Sequence, residues 1–301
     1  MLTVLPAPLR GTITSILTIT NLVIWIVPFY VLALLKLLPI PALRRACFRG
    51  LEAIAALWVD GNSALAHANG VRFDIRGNEG LNYDDWYLIG TNHVSWVDVM
   101  ALQRALNRRI PFLRFFVKQQ LIWVPLLGLA WWAMELPFMR RHSRAEIDAN
   151  PSLRLDDVEA TKRACRPFRD RPTAIINFLE GTRFTPAKQS AQSSPYQHLL
   201  KPKAGGIAYA LEAIGAKMNT FLDVTLVYPA GRETLWDLMT GRLRRVIIDV
   251  QRRSIPPELL SGDYGGDAEF RQRFKHWVEE IWREKDQRIQ ELKLEMRQAL
   301  A

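Results

Sequence analysis

An uncharged apolar run from Gly11 to Leu35 constrains this chain more than any other feature. Ile, Leu, Val, Trp and Phe dominate it. As an α-helix its roughly 25 residues would reach about 37 Å, against about 30 Å for the hydrocarbon of a bilayer. Lys36, Arg44, Arg45 and Arg49 follow, with no small-residue cleavage site, which argues against a removed signal peptide. The expectation is a membrane anchor. The alternative, a buried core helix, is usually shorter or polar on one face. The Arg cluster puts the main domain on the cytoplasmic side by the positive-inside rule, hence at the inner membrane if the source is bacterial. Pro28 allows a re-entrant hairpin in place of a single span, and both topologies stay open.

The remainder reads as α/β. Val71–Arg76 alternates with period two, and Trp86–Gly90, Thr173–Phe178, Phe221–Val227 and Val246–Val250 are short strands. Helical patterns at Ser152–Cys165 and Gly206–Ile214 lie between them, which predicts a mixed, mostly parallel sheet flanked by helices. Leu51–His67 reads as a second helix near the membrane, and Ala187–His198 as a surface loop. From Asp267, Phe270, Phe274, Trp277 and Ile281 fall at helical spacing, with Ile289, Leu292 and Met296 extending the stripe. Its charges balance, so packing onto the domain is favoured over membrane adsorption. The expected division is anchoring helices over 1–68, an α/β domain over 69–265 and an amphipathic helix over 266–301.

The net charge of +10 favours an anionic partner. The surplus includes Arg104, Arg108, Arg109, Arg114, Lys118, Arg140, Arg141 and Arg144, interleaved with Trp, Phe and Leu, as suits a protein lying on anionic lipid. The uncharged N-terminal run and the absence of a nucleic-acid motif argue against nucleic acid. A basic lipid-binding protein without catalysis is the rival from another class. Two cysteines, Cys47 and Cys165, are too few for a disulfide framework and lack metal-ligand spacing.

Two polar clusters follow buried strands. The first is Asn92-His93-Val94-Ser95-Trp96-Val97-Asp98. An imidazole can take a hydroxyl proton near neutral pH, and a carboxylate on its other nitrogen fixes the tautomer. On one straight helix His93 and Asp98 would point apart, so they meet only if His93 lies in a turn and Asp98 on the helix after it. A structural His with an incidental Asp explains the spacing equally well. The second cluster is Glu180-Gly181-Thr182-Arg183. Arg183 suits bidentate phosphate binding, Thr182 can donate to a phosphate, and Gly181 lets the backbone approach closely. Alone, it is also compatible with a plain turn.

Together, and in this order, the clusters resemble the 1-acyl-glycerol-3-phosphate acyltransferase family, marked by Asn-His-x-x-x-x-Asp and a later Glu-Gly-Thr-Arg. Phe115–Leu121 looks like its Lys-containing block, Leu136–Arg141 like the segment ending in Arg, and Val224–Pro229 like its last strand block. Leu179 stands where Pro is commoner, which resembles the branch with eukaryotic-type lysophosphatidate and lysocardiolipin acyltransferases, and Gln119-Gln120 replaces an acidic residue. The resemblance implies transfer of a fatty acyl group from acyl-CoA or acyl-carrier protein to lysophosphatidic acid. Glycerol 3-phosphate or another lysophospholipid is the alternative acceptor. It implies His93 and Asp98 as the general base pair, and Arg183, Lys118 and Arg140 on the acceptor phosphate. Glu180, Gly181 and Thr182 would position the glycerol and the loop. No acyl-enzyme, metal or cofactor is implied. The uncharged stretch Gln119–Met134 is either a core helix or the lining of an acyl-chain tunnel or membrane-facing wall. Lys201, Lys203, Gly205 and Gly206 are either a solvated loop or a contact for an anionic donor.

Overall fold

The computed structural model describes residues 2–139, 150, 153–231 and 233–298. Two long helices, α1 (Ala7–Leu35) and α2 (Pro41–Ala68), come first. Strands β1 (Arg72–Arg76), β2 (Trp86–Thr91), β3 (Leu113–Phe115), β6 (Thr173–Phe178), β7 (Thr220–Val227) and β8 (Arg245–Ser254) form one sheet in the order β1-β8-β7-β2-β6-β3. Every pairing is parallel except β7 with β8. A parallel pair, β4 (Val117–Lys118) and β5 (Phe138–Met139), stands apart. The mixed, mostly parallel sheet is the one expected, with α5 (Leu153–Cys165) and the short α8 (Leu235–Met239) among the helices around it. The three shortest strands escaped the sequence reading, because two or three residues carry no period.

Alternation along the strands sends side chains to two cores. On one face, Tyr87, Ile89, Ile176 and Val224 pack under α3 (Val97–Leu106). On the other, Leu88, Ile175 and Phe221 meet α7 (Gly205–Ile214) and the C-terminal α9 (Ala268–Gln298). The stripe of α9 is buried as its spacing predicts, including Phe274, Trp282 and Leu292. Trp282 donates its indole N–H to the Leu200 carbonyl at 2.9 Å. Fully buried Lys285 donates from Nζ to the Val224 carbonyl and pairs with Asp223 at 2.6 Å.

Pro28 lies inside α1 without ending it, and α2 supplies the return. The helices pack antiparallel at close range: a Cβ on Gly61 would sit 2.5 Å from the Asn21 side chain. Asn21 Nδ2 donates to Trp58 O and Asn62 Oδ1, both at 3.0 Å. Along its length α1 also touches the domain. Thr14 bonds Asn69 at 3.1 Å, Tyr30 donates to the Leu126 carbonyl, and Lys36, just past its end, pairs with Glu135 at 2.6 Å. By length and apolarity α1 is the one candidate membrane span among the described residues, yet it lies lengthwise against the protein.

Part of the basic surplus is used inside the fold. Arg114 is fully buried, pairs with Glu52 at 3.2 Å and stacks on Phe168. With no exposed surface it is not a lipid-facing cation, and burial also pushes its pKa down to about 10. Arg108 pairs with Asp60 at 2.9 Å, and Arg253 with Asp223 at 3.1 Å. The segment read as a loop from Ala187 begins inside a short helix, α6 (Pro186–Ala191), capped by Thr185, whose hydroxyl accepts from the Lys188 N–H at 3.3 Å. Thr at the cap followed by Pro is a helix-start signal, outweighed in the sequence reading by the Ser and Gln that follow.

Candidate active site

Parallel pairing of β2 with β6 creates the site. Thr91 lies opposite Phe178, so the loops leaving both strands emerge side by side at the C-terminal edge, where α/β sheets bind ligands. Two residues beyond each partner stand His93 and Glu180. The Glu180 Oε1 accepts the His93 backbone N–H at 3.0 Å, and Phe184 N–H donates to the His93 carbonyl at 2.7 Å. Both backbone groups of His93 are therefore held by the second motif and the residue after it.

The imidazole meets the condition set by the spacing. His93 precedes α3, and Asp98 sits in its first turn. His93 Nδ1 lies 2.8 Å from Asp98 Oδ2. The same oxygen accepts the N–H groups of Val94 and Ser95 at 2.7 and 2.9 Å. A carboxylate at Nδ1 selects the tautomer with its hydrogen there, leaving the lone pair on Nε2. The ring stacks on Phe178 at 4.0 Å between centroids and is one-fifth exposed.

Neighbouring β7 supports the same turn. The Asn92 amide bridges to it, donating to the Leu226 carbonyl at 2.9 Å and accepting the Leu226 N–H at 2.8 Å. Beyond that strand the Tyr228 hydroxyl donates to Asp98 Oδ1 at 2.5 Å. The sequence reading placed Asn92 and Tyr228 within family-like blocks but assigned neither a role of its own. Their partners lie more than a hundred positions away, where no local pattern reaches.

His93 and Arg183 open on one pocket of about 450 Å³. Its other walls are apolar: Trp25, Phe29 and Trp58 from α1 and α2, Phe115 and Val117 near the sheet edge, and Leu127, Ala130 and Trp131 from α4 (Leu127–Ala133). The Arg183 guanidinium sits over the Trp96 ring at 4.9 Å, with Trp96 itself exposed. An imidazole lone pair, a guanidinium and an apolar slot together suit a molecule with a hydroxyl, an anionic head and a chain.

A family profile described as Acyltransferase matches residues 72–231, more than half of the chain. The chain belongs to the acyltransferase family. It is 24% identical over 184 residues to the mouse 1-acyl-sn-glycerol-3-phosphate acyltransferase gamma and 25% identical over 185 residues to the human one. The alignments cover 58% of this chain and 44% of each relative, so the match spans less than half the length of those proteins. The crystal structure of the 1-acyl-sn-glycerophosphate (LPA) acyltransferase PlsC from Thermotoga maritima superposes with a TM-score of 0.52 at 16% identity, covering 96% of this chain and 98% of that one. The fold is therefore shared over nearly the whole length.

Within this acyltransferase fold the remaining sequence-derived residues separate. Glu180 is fully buried; besides His93 it accepts the Leu200 N–H at 3.3 Å, so both carboxylate oxygens face backbone and neither faces the pocket. Burial pushes its pKa up to about 7 against the pull of those N–H groups. Gly181 has φ of +68°, where a side chain would be strained and would press on Lys203. The Thr182 hydroxyl accepts from Lys188 Nζ at 2.7 Å, and that ammonium also donates to the Arg183 carbonyl at 2.9 Å. Lys188 was missed because it falls in the segment read as loop. Lys118 is exposed on β4 beside the pocket-lining Val117 and does not line the pocket itself. Arg140 lies outside the described residues. In the stretch 119–134, Leu127, Ala130, Trp131 and Met134 face the pocket, Ala130, Ala133 and Met134 join a small buried cluster, and Trp123 and Trp132 are exposed, so it walls the pocket on one side and is open on the other.

Proposed function

We propose that the protein transfers a fatty acyl group from a thioester to the free hydroxyl of lysophosphatidic acid, giving phosphatidic acid. One observation carries this reading: His93 and Arg183 line the same apolar pocket, whose volume lies in the range of about 300–1,000 Å³ usual for ligand sites. The names of the mammalian relatives and of the Thermotoga maritima protein support the acceptor.

In this mechanism Nε2 of His93 takes the acceptor's hydroxyl proton as the oxygen attacks the thioester carbonyl. Asp98 stabilises the imidazolium, the C–S bond breaks, and the proton passes to the departing thiolate. Arg183 holds the acceptor phosphate, and the apolar walls take an acyl chain. Acyl-CoA or acyl-carrier protein serves as donor. Cys165 is buried and its thiol is pushed up to about 12 by burial, which suits direct transfer without an acyl-enzyme at that residue.

The reaction is placed at a membrane. Ile19, Val23, Val27 and Val31 on the outer side of α1, with Trp123 and Leu129, are exposed beside the pocket. Such an apolar face marks a buried contact, and α1 docked lengthwise suits insertion into one leaflet better than a crossing. Residues 1–68 would then anchor the chain, 69–265 carry the reaction, and 266–301 brace the sheet. In a bacterium the Arg44, Arg45 and Arg49 cluster supports a site on the cytoplasmic side of the inner membrane.

The test is purified protein with labelled oleoyl-CoA against lysophosphatidic acid, lysocardiolipin, glycerol 3-phosphate and a neutral lysolipid. Preferred acylation of lysophosphatidic acid is expected. Preference for another acceptor overturns that assignment, and no transfer to any acceptor, from CoA or carrier protein, overturns the reaction.

A further inference from the structure

The carboxylate that orients His93 has a second oxygen, and what holds that oxygen is the residue to explain. Asp98 is fully buried, and three of its hydrogen bonds converge on Oδ2, from His93 Nδ1, Val94 N and Ser95 N. A carboxylate has about four acceptor positions, so a buried Oδ1 also requires a donor. The hydroxyl of Tyr228 supplies it at 2.5 Å.

The placement follows from the sheet. Thr91 of β2 lies opposite Val224 of β7, so Tyr228 leaves the sheet four residues beyond, on the flank of the β2–α3 turn away from Glu180. Its ring is buried in the core beneath α3. The charged and titratable groups around Asp98 are few. His93 comes from its own turn, Glu180 from the loop after β6, and Tyr228 and Glu233 from the segment after β7. Both glutamates oppose the Asp98 charge. The Tyr228 dipole is thus the favourable contact on the Oδ1 side.

We propose that Tyr228 is a positioning residue of this site, whose hydroxyl holds Oδ1 of the Asp98 carboxylate and draws part of its negative charge away from His93. The inference rests on the reading of His93 as general base. A short hydrogen bond to an anion is directional and charge-assisted. With it, part of the carboxylate's charge is neutralised at Oδ1. Without it, more charge gathers on Oδ2, which the Val94 and Ser95 N–H groups still hold beside Nδ1, and that makes His93 harder to deprotonate. Burial and the Asp98 charge both raise the phenol's own pKa well above its ordinary value, so it stays a donor throughout the working range.

Tyr228→Phe keeps the ring and removes the donor. The acid limb of the kcat profile is expected to move up by about one pH unit, lowering kcat about tenfold at pH values below it. KM for donor and acceptor should change less than about twofold, because Tyr228 touches neither. Site-specific difluorotyrosine at 228, a stronger donor of nearly the same shape, should move the limb the other way. NMR titration of the His93 ring reads the same shift without turnover and keeps the test alive if a variant is inactive. A lowered kcat with an unmoved limb and an unmoved His93 titration, or a wild-type profile for Tyr228→Phe, overturns the proposal. His93→Ala is assayed alongside: retained activity there refutes the base itself. A dead His93→Ala together with an unmoved limb in Tyr228→Phe removes Tyr228 alone.

Discussion

Oε1 of Glu180 accepts the backbone N–H of His93 at 3.0 Å, so the acid of the second motif touches the first motif's histidine through its main chain. The other oxygen takes the Leu200 N–H, and the side chain has no exposed surface left for substrate. Glu180 is thus a clamp between two loops that the parallel β2–β6 pair brings together.

Removing that clamp is expected to cost more than surface truncation. Glu180→Ala leaves two buried N–H groups without acceptors, a loss of about 2–6 kcal/mol at about 1–3 per group. Chemical denaturation in detergent measures it. An unchanged midpoint would show that water replaces the carboxylate at no cost.

The same residue ties stability to pH. Burial raises the folded Glu180 pKa to about 7 from an ordinary 4.5, so between those values the folded state keeps a proton that the unfolded state has released. Stability from this group is therefore greatest at or below about pH 4.5, declines through about pH 7 and is flat above, by about 3 kcal/mol at most. Other groups titrate in the same window, so the quantity to read is the difference between wild type and Glu180→Gln. The variant should lack this decline; parallel curves would refute it.

His93→Ala is expected to lower kcat by at least about 10²-fold, the low end for general-base catalysis. Asp98→Asn should also lower kcat, since an amide at Oδ2 no longer favours the tautomer with a free Nε2. Steady-state assays with saturating donor decide both, and near-wild-type turnover in His93→Ala would remove the imidazole from the chemistry.

Arg183→Ala is expected chiefly to raise the KM for a phosphorylated acceptor, with a smaller effect on kcat. Arg183→Lys should restore only part of the affinity, because an ammonium lacks the planar fork that grips two phosphate oxygens. If both variants bind lysophosphatidic acid as wild type does, the phosphate sits elsewhere.

Ala130 lines the apolar pocket from α4. Ala130→Phe should shorten it, lowering kcat/KM for palmitoyl and oleoyl donors by at least about tenfold while sparing decanoyl, since displacing several methylenes costs about 0.8 kcal/mol each. Equal losses for long and short chains would place the acyl group outside this pocket.

Much of this was legible before any coordinates. The long strands announce themselves by apolar runs, α9 by its stripe, and the two motifs by their order after buried strands. The condition that His93 lie in a turn and Asp98 on the next helix follows from helical geometry alone. Less legible were β3, β4 and β5, too short to show a period, and the course of α1. Pro28 is compatible with either a break or a continuous helix, and packing against α2, Asn69 and Leu126 settled the matter.

What the sequence determined by itself was local: which segments bury, which residues can take a proton or hold a phosphate, and how His93 and Asp98 must be arranged to meet. What only the tertiary structure decided was which distant groups share a carboxylate or a backbone N–H. Glu180 turned out to face His93 and not the pocket, Arg114 to be buried in the core, and Tyr228 to reach Asp98 from 130 positions away. The physical reason is register. Pairing β2 between β6 and β7 places three loops at one edge, and that pairing depends on contacts between strands far apart in the chain.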